Sequence, residues 1–476
     1  MHLLNKHLAL VSVALVASSS ASSCRCTPDL PCWASVPWDS LNASVSGRLA
    51  VSVDPMAPCA AALNSPACDA ALNASDNEFW LTAQPNGFLH TGLFSVWNIS
   101  TRLSAFSVLA ETEADVAAGV AFAAKYNLRL VIKNTGHDWF TRSSAPGALL
   151  VWTHLLNRIA FDAAFDAGCG GELVPAAVIG AGVQFAQLYP AAQAAGYAVV
   201  GGTCDSVGAA GCWLGGCYGT FSRAYGSGAT NLLAARVALP DGSIVRATAC
   251  ENSDLFFALR GGGGGVVGAV VELTARAHPA PATLLMGSAG YAAKDDAGWQ
   301  LLLEMQLNYT LAVMSPVWSG GGVGWSANGA AGDGGGVSFW PRAVNGSEAA
   351  GRALLAPFDA LVAAEPARFS GSQSWTTWNA TSWKPGQTLP WIESHPDREI
   401  STGLVASFSR YPVLRAFNTS ETAASLAQAI INFTRLMPLG VNGIRGGVVR
   451  TTPAPRPYSS RTPIFTTPAS PPSTGL

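Results

Sequence analysis

The sequence predicts an α+β protein, and three observations carry that prediction. Short apolar runs alternate with helix-period segments across residues 112–200, strand-like runs flank turn signals across residues 232–277, and glycine-bearing loops sit at the junctions. A chain of 476 residues that is 49% apolar is long enough for two or three domains with sizeable cores. Charged residues make up only 12% of it, against 50 glycines and 15 tryptophans, a composition unlike a Glu/Lys-rich helical bundle or a long disordered chain. Lys and Arg total 27 and Asp and Glu 29, for a net charge of −2, so no polybasic surface is offered to nucleic acid or to an anionic membrane.

Taken in order, Lys6 and His7 precede an apolar stretch over residues 8–17 and then small residues, the three-part layout of a secretory signal peptide over residues 1–21. Cleavage after Ala21 is expected, with Ser19 and Ala21 as the small pair. The stretch is too short to span a bilayer, and the mature protein is expected to be soluble and secreted. Eight Asn-x-Ser/Thr sites follow, at Asn42, Asn73, Asn98, Asn308, Asn345, Asn379, Asn418 and Asn432, and support glycosylation. Residues 22–97 form a lead-in that holds Cys24, Cys26, Cys32, Cys59 and Cys68, which an oxidising lumen would pair as disulfides. No histidine accompanies the C-x-C-x5-C spacing, so no metal is assigned there.

From residue 98 the texture changes. Thr112 and Asp115 make a capping-box pattern, Val116, Val120 and Ala123 recur at helical spacing, Asn127 ends the element, and residues 128–132 read as a buried strand. A second unit repeats the plan: a strand at 177–179, a helix over 184–195, Gly196 as its stop, and a strand at 197–200. Asp241-Gly242 is a hairpin signal between 232–239 and 243–247, and 266–277 alternates as a strand. Residues 281–450 mix helical stretches (289–307, 347–364, 420–436) with glycine-rich turns and the Trp-bearing stretch 374–383, and read as a second α+β domain. Residues 451–476 hold seven prolines among many Ser and Thr, a composition that cannot bury a core and is expected to be disordered.

Three segments carry chemistry. In Lys133-Asn-Thr-Gly-His-Asp-Trp139, Gly136 lets the backbone bend after a strand, so that an NH-rich loop could receive a phosphate or cofactor. The second runs from Gly201 to Gly219 and includes Thr203, Cys204, Val207, Gly208 and Gly211. The third is the glycine run from Gly261 to Gly268. Backbone amides at 134–136 and 203–211 can approach a phosphate closely where side chains are absent. Singly, a histidine such as His137 is ordinarily a hydrogen-bonded structural group and a cysteine such as Cys204 a disulfide partner. Cys212 and Cys217, without a nearby histidine, read as packing or pairing residues. Gly263-x-Gly265-x-x-Gly268 formally matches the dinucleotide fingerprint, but a five-glycine run satisfies it trivially and a strand follows where that motif demands a helix.

Together and in this order, the segments resemble the FAD-binding domain of the berberine-bridge-enzyme-like oxidases, in the vanillyl-alcohol-oxidase (PCMH-type) superfamily, and especially its secreted fungal-type members. The resemblance covers residues 98–280. It rests on residues 130–138 (LVIKNTGHD), 150–154 (LVWTH), 201–208 (GGTCDSVG), 214–219 (LGGCYG), 222–226 (SRAYG), 252–261 (NSDLFFALRG) and 275–279 (ARAHP). It implies a two-part PCMH-type FAD-binding domain followed by a substrate domain with an antiparallel sheet. It also implies FAD bound covalently twice, by His137 to the flavin 8α-methyl and by Cys204 to ring carbon 6, and it makes the phosphate met by the amides at 134–136 and 203–211 the pyrophosphate of that cofactor. The cofactor set that follows is His137, Cys204, Asn134, Thr135, Gly136, Asp138, Thr203, Val207, Gly208, Gly211 and Gly268, with no metal. Two covalent links would hold the ring rigidly and raise its potential, which suits oxidation of an alcohol, a sugar or a secondary metabolite with molecular oxygen as acceptor.

Val207 falls where relatives place a residue that gates oxygen; it is equally well explained as an ordinary buried valine. Cys217 replaces a glycine of the family pattern, and Asp205-Ser206 replaces Pro-Thr. Relatives return to the flavin domain through a closing segment bearing Tyr and Asn, and residues 451–476 show no such segment. Either the sequence is truncated or the closing element is lost, and the second case gives one alternative class, a secreted flavin-fold glycoprotein with impaired activity; the other is a flavin dehydrogenase with a non-oxygen acceptor. Sequence assigns no catalytic base, although Tyr411, Asp397 and Glu393 are titratable groups in the second domain.

Overall fold

The computed structural model describes residues 25–62, 65–75, 77–87, 103–138, 142–312, 323–327 and 332–380, with isolated positions beyond. The signal-peptide and tail expectations lie outside the described residues.

The lead-in contains helix α1 (Trp38–Ser44), strand β1 (Leu49–Val51) and helices α2 (Ala57–Ala61), α3 (Pro66–Ser75) and α4 (Glu78–Thr82). Disulfides Cys26–Cys32 and Cys59–Cys68 tie it locally. It also builds part of the first sheet, since β1 pairs antiparallel with β2 (Phe106–Leu109). Trp33, Trp38, Leu41 and Val45 share a core with helix α5 (Glu113–Lys125). Arg48 reaches from the lead-in to Asp115 at 2.6 Å. The expected capping box is present at the start of α5: Thr112 Oγ1 accepts from the Asp115 amide at 3.2 Å, and the Asp115 carboxylate accepts from the Thr112 amide at 2.9 Å. Asn127, at φ +51°, ends α5 in the left-handed region that a short polar side chain tolerates. Strands β3 (Leu130–Lys133) and β4 (Leu149–Trp152) complete a sheet of order β1-β2-β4-β3, in which β2-β4-β3 run parallel.

The second half of this domain is antiparallel. Strands β5 (Ile159–Phe165) and β6 (Val174–Gly180) lead to helix α6 (Phe185–Ala194), which Gly196 stops at φ +79°. A strand is confirmed after it, but β7 covers only Tyr197–Ala198. Short helices α7 (Ala209–Leu214) and α8 (Ser222–Tyr225) precede the hairpin β8 (Leu232–Ala238) and β9 (Ile244–Thr248), helix α9 (Ser253–Leu259), β10 (Ala269–Arg276) and β11 (His278–Pro279). The sheet order is β5-β6-β10-β8-β9, and β11 pairs with β7. A strand therefore follows the glycine run, as expected against a dinucleotide fingerprint. Cys169–Cys250 and Cys212–Cys217 are disulfides here.

The C-terminal domain begins with β12 (Thr283–Ala293), followed by α10 (Asp296–Ala312), β13 (Val323–Ala327), β14 (Gly335–Phe339), β15 (Arg342–Val344), α11 (Glu348–Ala364) and β16 (Phe369–Asn379). Strand β12 pairs antiparallel with β14, β15 and β16. The helix expected over 289–307 is thus corrected: its first residues belong to β12. Ala-rich composition suggested helix, but Ala289, Tyr291 and Ala293 are buried at period two, and tertiary pairing overrides local propensity. They pack with Trp299, Leu302, Leu303, Phe339 and Phe358, so the helices cover one face of this sheet. The helix expected over 420–436 lies mostly outside the described residues. Among the described residues, no helix is long and apolar enough to cross a membrane.

Candidate functional site

Strand β3 ends in Lys133, which is 2% exposed and donates from Nζ to the Gln84 carbonyl at 2.8 Å. Burial pushes its pKa down to about 7. The loop that follows is fastened on several sides. Asn134 donates from Nδ2 to the Ala181 carbonyl at 2.8 Å, its Oδ1 lies 3.2 Å from His154 Nδ1, and its carbonyl accepts from Trp152 Nε1 at 2.9 Å. Gly136 has φ +90°, and a side chain there would meet the Gly87 carbonyl oxygen at 2.6 Å. Glycine is therefore required twice over. The loop presents His137 with its flank fixed.

The second loop, 201–208, is held by α6. Tyr189 donates to the Gly202 carbonyl at 2.6 Å, Gln184 Nε2 to the Ser206 carbonyl at 2.7 Å, and the Phe185 amide to the Val207 carbonyl at 3.1 Å. The two loops touch at Gly208, whose amide donates to Thr135 Oγ1 at 3.3 Å. A Cβ at Gly208 would lie 2.3 Å from Asn134 Nδ2.

Where the loops converge, four polar side chains meet. Ser206 Oγ is 2.8 Å from His137 Nε2 and 3.4 Å from Cys204 Sγ, and it donates a short hydrogen bond to Glu78. The Cys204 thiol points at Glu78 Oε2 across 3.6 Å, and that oxygen is 4.0 Å from His137 Nε2. One ligand-type atom from each of Glu78, His137 and Cys204 lies within 4.8 Å of the others. Burial, reinforced by the negative charge of Glu78, pushes the Cys204 thiol up to about 12 despite its hydrogen bond to Ser206. The other described cysteines are all in disulfides, which leaves Cys204 as the described thiol.

The remaining sequence candidates divide. Thr135 is buried and joins the loops, Thr203 is half-buried beside Cys204, and Val207 packs against the core of the second half. Gly211 faces open space, since a Cβ there would have nothing within 4 Å. Asp138 is engaged by Arg142 at 2.5 Å. Gly268 serves packing: a Cβ there would meet Val237 Cγ1 at 2.6 Å, so its missing side chain is accounted for by the β10–β8 contact. Of the amides expected to meet a pyrophosphate, those of Gly208 and Ala209 are used internally, by Thr135 and by the Val183 carbonyl. Cys217 adopts φ +55°, the conformation that explains a glycine in the family pattern, and is held there by its bond to Cys212. Tyr411, Asp397 and Glu393 lie outside the described residues.

Sequence reasoning missed Glu78 and gave Ser206 no role. Glu78 opens α4, which Asn77 caps by accepting from the Phe79 amide at 2.9 Å, and its side chain is only 5% exposed. A capped acidic residue is an ordinary helix start, so nothing local marks it.

On the C-terminal sheet a concavity of about 440 Å³ is lined by Ser326, Ser338, Ser370 and Ser372, together with Gly290 and other residues of β12, β14 and β16.

Residues 104–248 match the family model described as an FAD binding domain. An FAD-linked oxidoreductase of Gibberella zeae is 35% identical over 291 residues, which cover 58% of this chain and 50% of that protein. The chain spans about half the length of the curated relatives it matches. A VAO-type flavoprotein from Myceliophthora thermophila superposes with a TM-score of 0.71 at 24% identity, covering 87% of this chain and 76% of that one. Berberine bridge enzyme from Eschscholzia californica gives 0.51 at 18%, covering 70% and 60%. Family match, relatives and fold converge: residues 104–248 form an FAD binding domain, the chain is similar to fungal FAD-linked oxidoreductases over about half their length, and its fold is that of the VAO-type flavoproteins.

Proposed function

We propose that the protein is a secreted FAD-dependent oxidoreductase that oxidises a small-molecule alcohol, sugar or secondary metabolite, with dioxygen as the acceptor and the flavin bonded to both His137 and Cys204. The observation that carries this reading is the convergence of an imidazole and the described thiol, from separate loops, within 4.8 Å of each other. Side chains that close together suit two positions on one edge of an aromatic ring system, which is the fit the cofactor needs. When bound, FAD supplies a hydride acceptor and a route for the electrons to dioxygen.

The protein's own residues supply the frame. His137 and Cys204 anchor, Thr135 bonds the two loops together, Asn134 ties the first of them to Ala181, and Gly136 and Gly208 permit the close approach that side chains would prevent. The serine-lined concavity of the C-terminal sheet offers hydroxyl groups to a polar substrate. Secretion is supported by four disulfides, which persist in oxidising compartments, and by exposure of Asn73, Asn308, Asn345 and Asn379 at glycosylation sites.

The direct test is the purified protein after acid denaturation. Yellow colour in the precipitate, with flavin mass on tryptic peptides containing residues 137 and 204, is the expected result; unmodified peptides from holoprotein would overturn bicovalent attachment. The acceptor has its own test in Val207→Ile. The added methylene should slow flavin reoxidation by oxygen several-fold while leaving substrate-driven reduction nearly intact, because packed interiors register one such group. Equal reoxidation rates in stopped-flow traces would remove the basis for preferring an oxidase over a dehydrogenase.

A further inference from the structure

Ser206 carries a single hydroxyl proton, and three neighbours compete for its oxygen: Glu78, His137 and Cys204. A carboxylate only accepts, so that proton belongs to the bond with Glu78. In the neutral imidazole, His137 Nε2 must then be the donor to Ser206 Oγ across 2.8 Å, and Nδ1 is the nitrogen that carries the lone pair. Glu78 Oε2 also accepts from the Cys204 thiol across 3.6 Å. One buried carboxylate thus stands at the end of both proton routes, directly from the sulfur and through Ser206 from the imidazole. The same short segment is seated on the flavin loops elsewhere, since Thr82 accepts from Gln184 at 3.2 Å and the Gln84 carbonyl accepts from Lys133.

We propose that Glu78, acting with Ser206, is the positioning residue and proton acceptor for covalent attachment of the flavin. This rests on the bicovalent reading above. At His137, a bond forms from Nδ1 to the 8α carbon, a C–H bond there breaks, and the Nε2 proton passes through Ser206 to Glu78. At Cys204, a bond forms from Sγ to ring carbon 6, the ring C–H bond breaks, and the thiol proton passes to Glu78. Each link leaves one electron pair on the ring system, which takes up the proton from the broken C–H bond and the proton held by Glu78, and dioxygen removes the pair with both protons as hydrogen peroxide, so that Glu78 is again a carboxylate for the second link.

The test uses the full chain prepared without flavin and then incubated with FAD in air, and it follows acid-precipitable flavin and the masses of the two peptides over time. Glu78→Gln should attach flavin roughly 100-fold more slowly at both residues, the scale expected for loss of a positioned base. It should still bind FAD non-covalently and melt near the wild-type temperature, and Glu78→Asp should recover part of the rate. Ser206→Ala should slow attachment at His137 much more than at Cys204, because the thiol also reaches Glu78 directly across 3.6 Å whereas the imidazole is hydrogen-bonded to it only through the hydroxyl. A merely structural role would not produce that split. Attachment at the wild-type rate in Glu78→Gln overturns the proposal. If Glu78→Gln does not fold, Ser206→Ala decides, and equal slowing at both residues or none at either overturns it. Absence of covalent flavin from the wild type would instead overturn the attachment reading itself, and this proposal with it.

Discussion

The cluster around Ser206 and the open face of the C-terminal sheet are built on opposite plans. In the cluster, Glu78, His137, Cys204 and Ser206 come from three separate segments, are at least partly buried and are hydrogen-bonded to one another. On the sheet, Ser326, Ser338, Ser370 and Ser372 line an open concavity of about 440 Å³. Chemistry that is the same whatever the substrate can be preorganised by buried, mutually oriented groups. A surface of small residues leaves recognition to shape and to a few hydroxyls, so it can change without disturbing the cofactor site.

The largest effects are expected at the cluster. Replacing both His137 and Cys204 by alanine should take flavin from fully retained to fully released on denaturation, whereas His137→Ala alone should keep the link through Cys204; covalent flavin on a denaturing gel measures both. Gly208→Val comes next. Its side chain would be driven into Asn134, where a Cβ already lies 2.3 Å from Nδ2, and overpacking of this kind costs about 1–3 kcal/mol. Reduced FAD loading together with a lower melting temperature is expected, and normal loading would show that the two loops can separate freely.

A smaller effect is read from pH. Burial holds Lys133 at about 7, below its ordinary 10.5, so between those values the unfolded chain binds a proton that the folded chain does not. Stability should therefore rise as pH increases through that window. His154, held at about 4 by burial and by the charge of Lys133, adds the same sign of slope between pH 4 and 6.5. Lys133→Met should flatten the upper part of the stability profile and make the part below pH 6.5 shallower without abolishing it, because burial, the larger cause of the His154 shift, remains; thermal melting across pH follows both. The smallest effect belongs to the sheet. Exposed Ser372→Asp should shift stability by less than about 0.5 kcal/mol and leave flavin loading unchanged while altering KM for substrate. Altered flavin loading in that variant would show that the two regions are coupled.

Legibility followed the same division. The flavin loops could be read because glycine, histidine and cysteine stand in contiguous segments, and the helix beginning at Thr112 could be read because its capping box is local. Glu78 could not, because its partners lie 126 and 128 residues away and no spacing rule connects them. The end of β12 was hidden by alanine-rich composition, and its partners β14 and β16, distant in sequence, make it a strand. Gly268 read as a cofactor contact because a glycine signals close approach without saying to what; here the neighbour is Val237.

The seating of α4 on loops so distant in sequence also orders events in time. Contacts across more than a hundred residues close slowly, after local helices and hairpins have formed, because loop-closure entropy must be met first. Whatever chemistry the Glu78 cluster performs can start only in chains whose N-terminal segment has already docked. A product of that chemistry would therefore act as an indelible stamp of correct folding, countable molecule by molecule in a mixed population.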